Sequence, residues 1–189
     1  MAMHNASPRS IPTTSWRLLT LVGLLAPMLA SAGETDFFDA KVTKSSGQPT
    51  KLSKFWGKPT IVFYEHPDSL QVNQAAKQEL KRLGEVYQLR DLVGTVAVID
   101  LEELNWWPAR GFALDAMQKQ EKKVRIPVLA DLTGELRKSP WRLNAKASTI
   151  LVISPRGELL FRNTGPCEGE QFEELKNTLR GLLNVTTQR

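Results

Sequence analysis

The sequence predicts an α/β fold on a mixed sheet, and three observations carry that expectation. Short, continuous apolar runs rich in β-branched residues recur at 60–64, 92–99, 126–130 and 148–153. Segments with apolar residues at three- and four-residue spacing separate the first three. The turn Pro155-Arg156-Gly157 then joins two strand-like runs with no helix between them. Helices between strands imply a parallel core, and the direct hairpin adds an antiparallel edge.

The first 32 of the 189 residues read as a secretory signal peptide. Arg9 and Arg17 are its only side-chain charges other than histidine. They precede the apolar run Leu18 to Met28-Leu29, and Ala30-Ser31-Ala32 places small residues at the −3 and −1 positions of a cleavage site before Gly33. The run is short for a membrane span of roughly 20 residues, so no span is expected after cleavage and the mature chain is expected in the periplasm or outside the cell. Residues 33–50 form an N-terminal lead with an edge strand around Ala40 to Thr43, and 51–185 form one domain. The 25 Lys+Arg against 20 Asp+Glu are interleaved, which does not suggest a nucleic-acid partner. One cysteine, Cys167, excludes an internal disulfide.

Thr60 to Tyr64 has the unbroken apolar pattern of a buried parallel strand. Asp68 is a candidate N-cap for the next helix, with Gln71 three residues on. Val72, Ala76, Leu80, Leu83 and Tyr87 give that helix one apolar face. Leu92 to Ile99 is a second strand, and 102–108 a loop carrying Trp106-Trp107. A second helix spans Arg110 to Val124, with Phe112, Leu114 and Met117 apolar and lysines at its C-terminal end, as the helix dipole prefers. Ile126 to Ala130 is the third strand, Leu136 to Leu143 a short helical piece, and 148–153 and 158–162 the hairpin. A last helix runs from about Gly169 to Leu183, acidic at its start and basic towards its end.

Leu52-Ser53-Lys54-Phe55-Trp56-Gly57-Lys58-Pro59, followed by the Thr60 strand, resembles the L-S-x-x-x-G-K-P segment of the redoxin branch of thioredoxin-like proteins. Pro127 to Glu135, Trp141-Arg142-Leu143 and Ser148 to Glu158 are similar to the P-V-x-x-D-x-x-G, short-helix and T-x-x-L-I-D-x-x-G-x-I blocks of redoxins. Their Asp-x-x-Gly…Trp-x-Leu…Ser order also resembles the YtfJ-like family of exported bacterial proteins, which lacks a C-x-x-C pair. The likeness covers roughly Lys51 to Leu183. It implies a thioredoxin-like fold of the redoxin variant, with a mixed sheet of four to five strands flanked by helices.

In redoxins the Thr60-type strand delivers a C-x-x-C pair to the start of a helix. Here that stretch reads Tyr64-Glu65-His66-Pro67-Asp68-Ser69-Leu70-Gln71 and contains no sulfur. Thiol–disulfide exchange needs a thiolate and a resolving sulfur. The family's cis-proline place falls on Ser148, and serine has little tendency to a cis bond. Glu65, His66, Asp68, Ser69 and Ser148 are therefore candidate binding residues rather than redox residues, and neither metal nor cofactor is expected. Trp106 and Trp107 join them as candidate contact residues, because adjacent tryptophans in a polar loop do not both turn inward easily. Cys167 is the remaining catalytic candidate, since a helix start lowers a thiol pKa.

Two functions fit these residues. One is a non-catalytic binding or accessory protein whose partner is an unidentified protein or small molecule. The other is a thiol-dependent antioxidant or oxidoreductase of the redoxin (AhpC/TSA-like) class acting through Cys167.

Overall fold

The structure is a computed structural model that describes residues 38–187. The expected signal peptide and its cleavage site lie outside the described residues. In chain order the elements are β1 (Lys41–Lys44), β2 (Pro49–Lys51), β3 (Thr60–Glu65), α1 (Gln74–Val86), β4 (Gly94–Asp100), α2 (Ala109–Val124), β5 (Val128–Asp131), β6 (Thr149–Ile153), β7 (Leu159–Thr164) and α3 (Gly169–Thr187). Among the described residues one seven-stranded sheet runs in the order β2-β1-β5-β4-β3-β6-β7. β3, β4 and β5 are mutually parallel neighbours, and every other pairing is antiparallel.

Register shows how the layers are built. Phe63 lies opposite Ala97, which lies opposite Val128, so these side chains share one face. That face carries all three helices. Ile61, Phe63, Ile150 and Val152 pack against Ala76 of α1 and Leu175 and Leu179 of α3, while Val128 and Ala130 pack against Met117 of α2. Among the described residues the opposite face, with Val62, Tyr64, Val96, Val98 and Leu129, carries no α-helix. Leu52, Leu136, Trp141 and Leu143 cover it instead. Trp141 is fully buried, meets Phe38 edge-on at 4.9 Å between ring centroids, and donates from Nε1 to the Asp39 carbonyl at 2.9 Å. Trp56 Nε1 donates to the Phe38 carbonyl at 3.1 Å.

Several expectations are corrected. The sheet has seven strands rather than four to five, because the N-terminal lead adds two. β1 is flanked by β2 and β5 and so is not the edge; β2 is. α1 starts at Gln74, six residues beyond the expected cap Asp68, after a short 3-10 turn at Pro67–Ser69. Val72 therefore precedes the helix, and Val72 and Tyr87 are exposed; Ala76 is the buried anchor of that face. Phe112 is exposed, not apolar core, since α2 meets the sheet through Met117 and Leu114. Of the 136–143 piece only Leu136 and Arg137 are helical, in a single 3-10 turn at Glu135–Arg137.

The Trp141 indole fills the helix-free face and carries a backbone hydrogen bond. Trp141→Ala is expected to destabilise the protein by about 3–5 kcal/mol, as large-to-small core changes do. Denaturant melts check this.

Candidate functional site

β3 ends in Glu65, a carboxylate at the close of an otherwise apolar buried strand. Tyr64 pairs with Thr149 in the antiparallel β3–β6 ladder, so the next position places Glu65 opposite Ser148. Glu65 is 2% exposed, and burying a carboxylate is costly unless it is paired and hydrogen-bonded. It is both. Lys77 of α1 sets its Nζ 2.6 Å from Glu65 Oε2, and Ser148 Oγ donates to Glu65 Oε1 at 3.0 Å. Ser148 Oγ in turn accepts from Asn73 Nδ2 at 2.8 Å. The same amide donates to the Gly165 carbonyl at 3.1 Å, and Asn73 Oδ1 accepts the Cys167 backbone N–H at 2.8 Å. Lys77 also donates to the Leu70 carbonyl at 3.2 Å.

His66 makes the corner after β3. His66 is buried. Its Nδ1 accepts the Asp68 backbone N–H at 3.2 Å, and Ser69 Oγ accepts the His66 N–H at 3.0 Å, a reciprocal cap for the 3-10 turn. The cap is therefore the imidazole and not Asp68, whose side chain is 81% exposed and 3.4 Å from His66 Nδ1. Chain geometry explains the difference. Pro67 sets the first position of the 3-10 turn, and residue 68 then turns its side chain to solvent. His66 Nε2 lies 4.0 Å from Glu103 Oε2, and Glu103 Oε1 3.1 Å from Lys146 Nζ. The loops after β3, after β4 and before β6 thus meet at one end of the sheet.

A second polar group sits on the helix-free face. The Tyr64 hydroxyl donates to Asp100 Oδ2 at 2.8 Å, and Arg137 approaches the same carboxylate at 3.6 Å while lying against Glu102. Burial first, then Asp100, pushes the Tyr64 hydroxyl far above its ordinary value. Asp131 accepts backbone N–H groups from Glu135 and Leu136, each at 2.9 Å, and holds the turn that carries Leu136. Burial raises its carboxyl and those donors oppose the rise. These groups secure the loop over the sheet.

Cys167 is 2% exposed, packed among Ile61, Phe63, Ala76 and Leu175. The expected lowering of its pKa by the helix start is reversed. Burial pushes the thiol up, with a smaller push from Glu174. Among apolar side chains the thiolate is disfavoured by desolvation.

Trp106 and Trp107 project from the loop before α2; Trp107 is 89% exposed and Trp106 58%. With Asn105, Arg110 and Leu114 they line a groove of about 390 Å³. Leu70, Val72 and Phe112, on or beside the same loops, are exposed as well. Among the described residues no group of three or more His, Cys, Asp and Glu is arranged to hold a metal ion. Glu65, Ser69 and Ser148 are buried and committed to internal hydrogen bonds, whereas Asp68, Trp106 and Trp107 face solvent. Sequence reading missed Asn73 and Lys77. Asn73 carries no local signal, because its partners lie 75 and 94 residues away. Lys77 did leave one: a carboxylate closing an apolar strand calls for a cation.

Asn73→Ala removes the buried hydrogen bonds to Ser148, Gly165 and Cys167 and orphans the Cys167 N–H. It is expected to cost about 2–4 kcal/mol. Asp68→Ala, at an exposed position, is expected to stay within about 0.5 kcal/mol. Equilibrium denaturation of the two variants checks the contrast. Cys167 is expected to label slowly with a thiol reagent in the native protein at mildly alkaline pH and quickly once unfolded. Equal rates in the two states contradict the burial.

No family model matches this chain, and no curated protein matches it in sequence. Solved structures do. An uncharacterized conserved protein from Geobacillus kaustophilus superposes with TM-score 0.55 at 19% identity, covering 79% of this chain and 80% of that one. A thiol peroxidase from Chromobacterium violaceum gives TM-score 0.54 at 8% identity, over 78% of this chain and 86% of that one. A thiol-disulfide oxidoreductase from Bacteroides fragilis gives 0.50 at 17%, over 76% and 98%. At such identities the likeness is one of architecture, and with the mixed sheet and its helices it shows that this chain has an α/β thioredoxin-like fold of the kind seen in redoxins.

Proposed function

We propose that this chain is an exported binding or accessory protein that uses the thioredoxin-like scaffold without its dithiol chemistry. One observation carries the reading. The segment where that scaffold would carry its sulfurs holds none, and Lys77, Glu65, Ser148 and Asn73 around it form a closed, internally satisfied network, while exposed indoles stand at the same end of the sheet. Two of the similar structures are named for thiol chemistry, which requires a reactive sulfur. The segment 68–71 offers none, and the burial of Cys167 with its raised thiol pKa counts against the thiol-dependent alternative. Export rests on the 1–32 pattern, and the placement beside the YtfJ-like family rests on the sequence blocks from 127 to 158.

The contact surface in this reading is the Trp106-Trp107 loop. Large exposed aromatic side chains beside charge, here Glu103 and Arg110, suit an anchor-and-rim contact, and the C-terminal end of parallel strands is where open α/β sheets place their ligands.

Two measurements test the proposal. In an insulin-reduction assay the protein is expected to match the no-enzyme control, and reduction well above that level contradicts it. Trp107→Ala is expected to weaken a partner captured from periplasmic extract by more than about 1 kcal/mol with the melting temperature unchanged. A large loss of stability instead would assign the indole to the core.

A further inference from the structure

His66 is a buried titratable group at the end of the sheet that carries the Trp106-Trp107 loop. Its imidazole is 9% exposed and lies where three loops meet. Nδ1 accepts the Asp68 backbone N–H at 3.2 Å, which places the hydrogen of the neutral ring on Nε2. Two carboxylates face the ring. Asp68 Oδ2, on the same turn, lies 3.4 Å from Nδ1, and Glu103 Oε2, from the loop after β4, lies 4.0 Å from Nε2. A cation stands behind Glu103: Lys146, from the loop before β6, sets its Nζ 3.1 Å from Glu103 Oε1. Glu65, one residue back on β3, is turned to Lys77 and Ser148.

These contacts suit the neutral ring and the protonated ring differently. A protonated imidazole donates from both nitrogens and accepts at neither. The cap from Nδ1 to the Asp68 N–H therefore exists only with the neutral ring, and protonation sets two donors against each other at 3.2 Å. The imidazolium has a carboxylate on each side instead. At 4.0 Å the separation of Nε2 from Glu103 is longer than a hydrogen bond, and a charge on the ring is what draws it closed. Both changes lead to exposed apolar residues. The cap holds the 3-10 turn Pro67–Ser69, which runs into Leu70 and Val72. Glu103 belongs to the 3-10 turn Glu102–Leu104, which runs into Trp106 and Trp107. Glu102 lies against Arg137 and fixes the β4 end of that turn.

We propose that His66 is a proton-operated latch that couples acidification to the position of the Trp106-Trp107 loop. With the ring neutral, the 67–69 turn is capped and Glu103 is held by Lys146 alone. Proton uptake, in the range of about pH 8 to 5 where histidines titrate, releases the Asp68 N–H and draws Glu103 onto Nε2. The proton acts as a ligand that favours one of two arrangements, since only the uncapped one offers it the Nδ1 lone pair. The uncapped arrangement is therefore filled as pH falls and emptied as pH rises. The consequence for partner contact rests on the Trp106-Trp107 surface proposed above; the latch itself does not.

The test is an NMR titration between about pH 8 and 5, following the His66 ring and the amides of Asp68, Ser69, Leu70, Trp106 and Trp107. His4 is the other histidine of the chain, and its ring signals are assigned separately. The amides of both loops are expected to move in one step that shares the midpoint of the His66 ring. His66→Asn keeps a side-chain acceptor at the cap and removes the proton. It is expected to abolish the step at both loops while melting close to the parent temperature. Glu103→Ala, at an exposed position, is expected to keep the step at Asp68 to Leu70 and to lose it at Trp106 and Trp107. The proposal is overturned if the Trp106 and Trp107 amides show no step at the His66 midpoint, if their step survives in His66→Asn, or if Glu103→Ala leaves it unchanged. Should His66→Asn fail to fold, the parent and Glu103→Ala titrations decide between the same outcomes. None of these readouts uses a partner, so a failed latch is distinguished from a failed binding surface, which Trp107→Ala reports.

Discussion

Asn73 is the joint on which this end of the molecule depends. One buried amide holds Ser148 ahead of β6, the Gly165 carbonyl after β7 and the Cys167 N–H ahead of α3. Through Ser148 it also reaches Glu65 at the end of β3, and Glu65 is held from the other side by Lys77 of α1. Each group in the network satisfies the next. A half-satisfied network of this kind is worse than an apolar core, because every orphaned member retains its desolvation cost. The network is thus an all-or-none constraint, and it fixes the loops from which the exposed end is built.

That constraint explains why a scaffold shared with thiol enzymes becomes closed at the site itself. In such enzymes the junction after the central strand must leave a sulfur open to attack. Here the strand ends in a carboxylate that turns inward to a lysine, and the corner residue His66 commits its Nδ1 to the backbone of its own turn. The hydroxyls of Ser69 and Ser148 are committed in the same way. The side chains that face solvent at this end belong to the surrounding loops. The loops pinned by the network and by the His66–Glu103–Lys146 contacts present Trp107 and its neighbours outward.

The helix-free face carries a second constraint. Right-handed β3-α1-β4 and β4-α2-β5 crossovers progress in the same direction across the sheet, so both helices fall on one side. The other side must be covered by something else, since Val62, Tyr64, Val96 and Val98 are buried there and largely apolar. The chain covers it with the residues before β1, the turn after β2, and the loop holding Leu136 and Trp141. This explains why the N-terminal segment is tied so firmly, with the Asp39 carboxylate accepting from the Ala40 and Ser53 N–H groups, each at 2.9 Å.

By itself the sequence determined the features that arise from local pattern. The apolar run 60–64 and the period-3.6 segments specified strand, helix and order, because burial on both faces or on one stripe leaves a signature within a few residues. The absence of sulfur at 68–71 was legible too, since it is a matter of composition. Tertiary structure alone decided the rest. Whether Asp68 or His66 caps the turn depended on where Pro67 aimed the chain. The direction in which the Cys167 pKa moves depended on its burial among Ile61, Phe63 and Leu175, which no local pattern shows. That Asn73, a polar residue with no local pattern, is the joint of the site could only be seen once residues 75 and 94 positions away were brought to its amide. Contacts at such separations are set by sheet register, and no local window of sequence contains them.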